Sequence, residues 1–254
     1  GYIRLLQTLA EACDVLPDSR GLNPMHQVDG FLLKLANEKG HHFPTRPFAK
    51  TVDKFKGAYV MQPITAGITR DVHVCDFAAL YPSIILSWNI SPETKIAPNV
   101  SPTAASALSP TGMRFTTAVK GILPIALEEL IRLRKEWNDR KANLPPGTPE
   151  WADAERRAQT YKVATNSFYG VIGSPYSRYF DRDLGEAITQ AGVWLIKMTK
   201  VEAEKRGMLV VYADTDSCFV VSAPQADGTK SPSLTKEAFG EFVSWCNTDL
   251  YPAL

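Results

Sequence analysis

The side chains in this sequence that can do chemistry gather at a few places. In the C-terminal part, Asp214-Thr215-Asp216 lies between β-branched and aromatic runs, Leu209-Val210-Val211-Tyr212 before it and Phe219-Val220-Val221 after it. The pattern predicts a β-hairpin over Met208 to Ser222 whose turn contains Ala213-Asp214-Thr215-Asp216. Hard carboxylate oxygens at such a tip suit magnesium, which keeps several waters and binds phosphates. Read alone, the tripeptide is first of all a turn, because Asp and Thr are common turn residues. A further aspartate, Asp76, closes the short β-like run His73-Val74-Cys75-Asp76-Phe77. Strand ends that offer carboxylates to one place suit a two-metal site, in which the ions activate an attacking oxygen and stabilise a leaving one. Polymerases and nucleases both use such sites, so the carboxylates do not choose between them.

A helical stretch bears on that choice. Lys162, Asn166 and Tyr169 fall at helical spacing, which sets an ammonium, an amide and an aromatic ring along one face, with Gly170 next in the chain. The bland reading is a solvated lysine beside an incidental tyrosine. Against it, Asn166-Ser167 are poor helix formers and need a local reason to sit in mid-helix. Upstream, Arg134 and its neighbours Arg132, Lys135, Arg140 and Lys141 could meet a polyphosphate, arginine through its fork and lysine as a point charge. There the alternative is a mixed-charge solvated face, since Glu128, Glu129, Glu136 and Asp139 share the stretch.

The elements that must position these groups are legible in part. Apolar residues at Leu123, Leu127, Leu130, Leu133 and Trp137 make one helical stripe, with Pro124 near the first turn. The link Asn143 to Gly147 follows; then Thr148 caps a second helix with Pro149 at its first position and Glu150 in its first turn. An antiparallel helical hairpin is expected. Residues 182–206 read as another helix closed by Gly207, and Phe31-Leu32-Leu33-Lys34-Leu35-Ala36 as a helix with Gly40 behind it. In Leu80-Tyr81-Pro82 the proline restricts Tyr81 to extended geometry. Residues 91–118, rich in Pro, Ser, Thr and Ala, read as loop.

Composition sets outer limits. At 254 residues with 44% hydrophobic and 22% charged, the chain can bury a sizeable core. No apolar run approaches a membrane span and no signal peptide is evident, so an intracellular, cytoplasmic or nucleoid-associated protein is expected. Cys13, Cys75, Cys218 and Cys246 stand far apart, and the histidines add no zinc spacing, so reduced thiols and no structural zinc are expected. A formal charge of +1 provides no basic excess, so any grip on DNA must be local or shared with other segments.

The motifs also carry a family resemblance. Asp76-Phe77-Ala78-Ala79-Leu80-Tyr81-Pro82-Ser83-Ile84-Ile85 resembles the first polymerase motif of B-family DNA polymerases. Lys162-Val163-Ala164-Thr165-Asn166-Ser167-Phe168-Tyr169-Gly170 resembles the second, and Tyr212-Ala213-Asp214-Thr215-Asp216-Ser217 the third, in the family's order and separations. Weaker similarity runs from the helix near Phe31 to Leu250-Tyr251-Pro252. The resemblance implies an α+β polymerase palm, an antiparallel sheet backed by helices, with an inserted two-helix antiparallel fingers hairpin. Residues 1–75 would be the N-terminal part of the palm and a linker, 76–118 the first part of the palm, 119–170 the fingers and 171–254 the rest of the palm. The exonuclease and thumb regions of family members are expected in cis or on other chains.

Carried over by position, the resemblance implies that Asp76 and Asp216 hold two magnesium ions with help from the Phe77 carbonyl, and that Asp214 has a lesser catalytic role. Tyr81 resembles the gate beneath the incoming sugar that excludes a 2′-hydroxyl, with Leu80 beside it in the nucleotide site. Lys162 and Arg134 resemble ligands of the triphosphate, with Asn166 beside them and Tyr169 near the nascent base pair. The expected partners are primer-template DNA and deoxynucleoside triphosphates. Departures are small: Ala79 and Ala213 stand where relatives often have Ser and Gly, and Asn138 where a lysine is frequent, so one phosphate contact is expected to be weaker or moved to Arg140 or Lys141. Phe55-Lys56-Gly57-Ala58 resembles a Tyr-x-Gly-Gly linker with Phe and Ala substituted. The alternatives are a non-catalytic polymerase homologue serving as a scaffold in a replication assembly, and a two-metal nuclease, which gives no reason for the Lys162 to Tyr169 face.

Overall fold

The computed structural model describes residues 2–16, 23–43, 45, 57–64, 66–101, 105–224 and 233–253. In chain order the elements are α1 (Tyr2–Ala12), α2 (Pro24–Glu38), β1 (His73–Asp76), α3 (Leu80–Ser87), β2 (Lys95–Ile96), β3 (Ser106–Leu108), β4 (Arg114–Thr116), α4 (Ile122–Ala142), α5 (Pro149–Gly173), α6 (Arg182–Glu204), β5 (Met208–Asp214), β6 (Ser217–Ser222) and α7 (Lys236–Trp245). The class is α+β with small antiparallel sheets, as expected. The chain divides into two compact units, Gly1–Phe55 with Tyr81–Ile188, and Lys56–Leu80 with Thr189–Leu254. Of the linker-like segment, Phe55 and Lys56 lie outside the described residues.

The first unit is built around the α4–α5 hairpin, against which α1 and α2 pack. Leu123, Leu127 and Leu130 of the expected stripe are buried, and Leu133 and Trp137 are half-buried. Gly147, at φ 85°, makes the left-handed turn that the link needs and that glycine adopts without steric cost. The Thr148 hydroxyl then accepts from the Trp151 N–H at 3.2 Å, satisfying a donor that the first turn of α5 would leave unpaired. Replacing Thr148 by alanine is expected to lower unfolding free energy by about 1 kcal/mol, read as a lower urea midpoint at unchanged slope.

The start of α4 depends on more distant residues. Gly121 offers no side-chain cap, and the Ile122 N–H donates instead to the Glu93 carboxylate at 2.5 Å. Asn89 ties this corner together: its amide donates to the carbonyls of Thr116 and Val119, and its Oδ1 accepts from the Gly121 N–H. Residues 91–118 are therefore more than a loop. They contain a helical turn at Pro92–Thr94 and a sheet of order β2-β4-β3 closed over the buried Phe115. Strands of two or three residues are too short to leave an alternating pattern in the sequence.

Pro82 also departs from expectation, because Tyr81 is helical, in the first turn of α3. In a first turn the missing proline N–H has no intrahelical acceptor to lose. Burial of Ile84 and Ile85 one turn on favours the helix.

The second unit is a sheet of order β1-β6-β5. A segment from Tyr59 to Ile64 extends it along the free edge of β5: Thr215 N–H donates to Tyr59, Met61 N–H to Ala213 and Ile64 N–H to Val211. The core joins Met208, Val210, Ala213, Cys218 and Val220 of the hairpin to Ile196 and Ala203 of α6 and Phe242 of α7. Gly207, at φ 73°, closes α6 and turns the chain into β5 as expected. Among the described residues no helix is long and apolar enough to cross a membrane.

Candidate active site

The acidic residues sit at one end of the second unit's sheet. β1 and β6 are antiparallel with Asp76 opposite Ser217, and the Phe77 N–H donates to the Asp216 carbonyl at 2.8 Å. That bond fixes the end of β1, where Asp76 is exposed, against the turn that carries Asp216. Burial, then the negative charges of Asp76 and Asp214, push the Asp216 carboxyl above the ordinary range for aspartate. A cation between these groups would relieve that repulsion, and the donors are hard oxygens. Among the described residues no three His, Cys, Asp or Glu side chains converge as a metal cage.

Asp214 differs from its neighbours. Its Oδ2 accepts from the Tyr212 hydroxyl at 3.2 Å and its Oδ1 from the Thr215 hydroxyl at 2.9 Å, so side-chain donors occupy both oxygens. Sequence reasoning missed Tyr212 and Thr215 as the residues that orient Asp214. The period-two spacing of Tyr212 and Asp214 on one strand face is the signal that could have found the first. Thr215 holds φ 54°, costly for a β-branched residue, and its N–H bond to Tyr59 fixes it there. A β-bulge at Val211 shifts the register of β5 between Val210 and Tyr212. It lets Val210 and Val211 both stay buried before alternation resumes with Ala213 inward and Asp214 on the other face.

In the first unit, α5 buries Tyr161, Ala164, Thr165, Phe168 and Val171. The opposite face carries Lys162 and Asn166, both exposed, with half-buried Tyr169 beside them. Charge pairing separates the cations of the hairpin. Arg132 pairs with Glu129 and Glu136, Lys135 with Asp139, Arg140 with Glu136, Lys141 with Glu155, and Arg156 and Arg157 with Asp153. Among the described residues Arg134 and Lys162 pair with no carboxylate. Such surface pairs add little stability each, but they show which charges are already neutralised. Arg140 and Lys141, expected to meet phosphate in place of a lysine at Asn138, are among these, and Arg140 also lies 4.5 Å over the Trp137 ring. The pairing of Lys141 with Glu155, and Arg157 over Trp137, set an antiparallel register that carries Arg134 to the level of Lys162.

The Tyr81 and Tyr169 rings meet with centroids 4.7 Å apart at 36°. Burial, then the proximity of Tyr81, push the Tyr169 hydroxyl up to about 12. Leu80, expected in the nucleotide site, is buried, at 4% exposure. The expected residues are thus assembled in groups: Asp76, Phe77, Asp214 and Asp216 within the second unit, and Tyr81, Arg134, Lys162, Asn166 and Tyr169 within the first.

Comparison with known proteins identifies the family. The family model for DNA polymerase family B matches residues 23–238. A DNA polymerase of Archaeoglobus fulgidus is 35% identical over 78% of this chain and 24% of its own length. One from Thermococcus gorgonarius is 31% identical over 88% of this chain and 28% of its own. In structure, the chain is similar to the family B DNA polymerase of Pyrobaculum calidifontis, with a TM-score of 0.76 and 27% identity, covering 97% of this chain and 31% of that one. The chain therefore spans no more than about a third of the length of these relatives. With the family model matching most of its residues, the chain belongs to DNA polymerase family B.

Proposed function

We propose that this chain carries the palm and fingers of a template-directed DNA polymerase, which adds deoxynucleoside triphosphates to a primer 3′-hydroxyl. The observation that carries the reading is that, among the described residues, Arg134 and Lys162 pair with no carboxylate while the neighbouring cations of the hairpin do. Exposed Lys162 and half-buried Arg134, which pair with no carboxylate among the described residues of a hairpin otherwise laced with ion pairs, suit an anion brought by the substrate. Residues 119–170 are the fingers in this reading, 76–118 and 171–254 the palm, and 1–75 its N-terminal part and linker.

Asp76 and Asp216, with the Phe77 carbonyl, hold two magnesium ions. When bound, the ions supply activation of the primer hydroxyl and stabilisation of the leaving pyrophosphate. Lys162 and Arg134 bind the triphosphate and orient its α-phosphate for attack, with Asn166 beside them. Asp214, oriented by Tyr212 and Thr215, adds negative charge near the ligands without giving up its own hydrogen bonds. Tyr81, backed by Tyr169, closes the space beneath the sugar.

Primer extension with separate deoxy- and ribonucleoside triphosphates tests the reading. Tyr81→Ala is expected to raise ribonucleotide incorporation relative to deoxyribonucleotide by roughly 10–100-fold, the range over which pocket shape rejects one small group. An unchanged ratio removes Tyr81 from the gate. Degradation of the primer with no templated extension by the unaltered protein would replace the polymerase with a nuclease.

A further inference from the structure

We propose that Cys75 and Cys218 form a modification site, a dithiol that peroxide oxidises to a reversible disulfide across the strands bearing the acidic tips. The two residues stand directly opposite each other on β1 and β6. The bond from Phe77 N–H to the Asp216 carbonyl makes that rung a hydrogen-bonded pair. Since rungs alternate, Asp76 and Ser217 form a non-hydrogen-bonded pair and Cys75 and Cys218 the next hydrogen-bonded one. Such pairs hold their Cα atoms about 5.5 Å apart, within the roughly 4.4–6.8 Å that a disulfide bridges. The side chains share a face: Cys75 packs against the core cluster that contains Cys218, and the two thiols are hydrogen-bonded to each other.

Access differs between the sulfurs. Cys218 is fully buried, while Cys75 is half-buried between exposed Val74 and exposed Asp76. Hydrogen peroxide from solvent therefore meets Cys75 first. The Cys75 sulfur attacks one peroxide oxygen, the O–O bond breaks, and the departing oxygen leaves with the thiol proton as water, giving a sulfenic acid. The Cys218 sulfur then attacks the Cys75 sulfur. An S–S bond forms as the S–O bond breaks, and the hydroxyl leaves with the Cys218 proton as a second water. Two thiols are oxidised and one peroxide is reduced to two waters.

The bond should be labile. Opposed Cβ atoms lie about 4.5–5.5 Å apart, wider than the roughly 3.8 Å a relaxed disulfide takes, so closure must draw β1 and β6 together. Strained disulfides are the readily reduced ones. The rung drawn in adjoins Asp76 and Ser217, so oxidation acts on the acidic tip. That consequence rests on the polymerase reading; formation of the bond does not. Cys246, in the same core but outside the ladder and hydrogen-bonded with Tyr251, is the competing thiol.

The purified chain is treated with hydrogen peroxide, its free thiols are alkylated, and it is digested without reductant for mass spectrometry. The expected result is an intact mass lower by two hydrogens and one cross-linked peptide joining Cys75 to Cys218, both reversed by dithiothreitol. The cross-link should vanish in Cys75→Ser and in Cys218→Ala, and persist in Cys246→Ala, alanine being used at the two core positions because a buried hydroxyl would destabilise the fold. Primer extension should fall with cross-linking and return on reduction. A Cys75–Cys246 cross-link, a sulfinic acid at Cys75 without cross-linking, or thiols still open to alkylation after excess peroxide would each overturn the site. A cross-link in a chain that extends no primer leaves the site standing and defeats the polymerase reading; normal extension without a cross-link does the reverse.

Discussion

Asp216→Asn is expected to abolish nucleotide addition while leaving the fold as stable as before, or more so in metal chelator. The loss should reach about a thousandfold, since removing a ligand of the catalytic ions forfeits several kcal/mol of transition-state stabilisation at about 1.4 kcal/mol per tenfold. The stability side follows from electrostatics. Burial and the charges of Asp76 and Asp214 raise the folded-state pKa of Asp216 above its ordinary value. An acid raised in this way holds its proton more tightly folded than unfolded, so stability falls as pH rises through that window, and the charged form is a net cost above it. Asparagine keeps the shape and removes the charge. In the unaltered protein, magnesium should raise the melting temperature because it binds the folded state alone, and that shift should shrink in Asp216→Asn. Single-nucleotide incorporation and thermal melting with and without magnesium check both halves. Ordinary turnover by the variant would remove Asp216 from the metal site.

What the sequence made legible was what local physics determines. The β5–β6 hairpin and the exposed strand end at Asp76 announce themselves by alternation. The α4–α5 hairpin does so by its apolar stripe, its Thr148-Pro149 start and the glycine in its link. What stayed hidden depends on distant partners. The sheet within residues 91–118 is held by Asn89 and capped onto α4 by Glu93, bonds that no short window of sequence reveals. The edge segment from Tyr59 to Ile64 pairs with β5 across some 150 residues of chain, and non-local pairing of that kind leaves no periodicity of its own. The helical Tyr81 shows tertiary burial overriding a local rule about proline. At the site, residue types and spacing found the carboxylates and the Lys162 face, but not which cations were free. Arg132, Arg134 and Arg140 are alike in sequence, and only side-chain placement shows that Arg134 is left unpaired among the described residues.

That distinction yields the other large effect. Lys162→Ala is expected to lower kcat/KM for the incoming triphosphate by roughly 10–100-fold, the range for removing a charge-assisted hydrogen bond of about 1.5–3 kcal/mol. Affinity for primer-template should change little, since the ammonium faces phosphates that only the nucleotide brings. Folding stability should be untouched, because Lys162 is exposed and breaks no ion pair among the described residues when removed. Arg134→Ala should behave alike. Because both would hold one triphosphate, the double variant should lose less than the product of the single losses, or more if one cation positions the phosphate for the other; either departure from additivity marks a shared ligand. Arg132→Ala is the control. It removes the same charge two residues from Arg134, but its guanidinium is already held by Glu129 at 2.7 Å and by Glu136, so kcat/KM should stay within about twofold of the unaltered protein. Equal losses at Arg132 and Lys162 would mean that the hairpin acts through its summed charge. Equal losses in nucleotide use and DNA binding for Lys162→Ala would place its ammonium on the primer-template. A selective loss at Arg134 and Lys162 would tie the triphosphate to the two cations of the hairpin that, among the described residues, pair with no carboxylate.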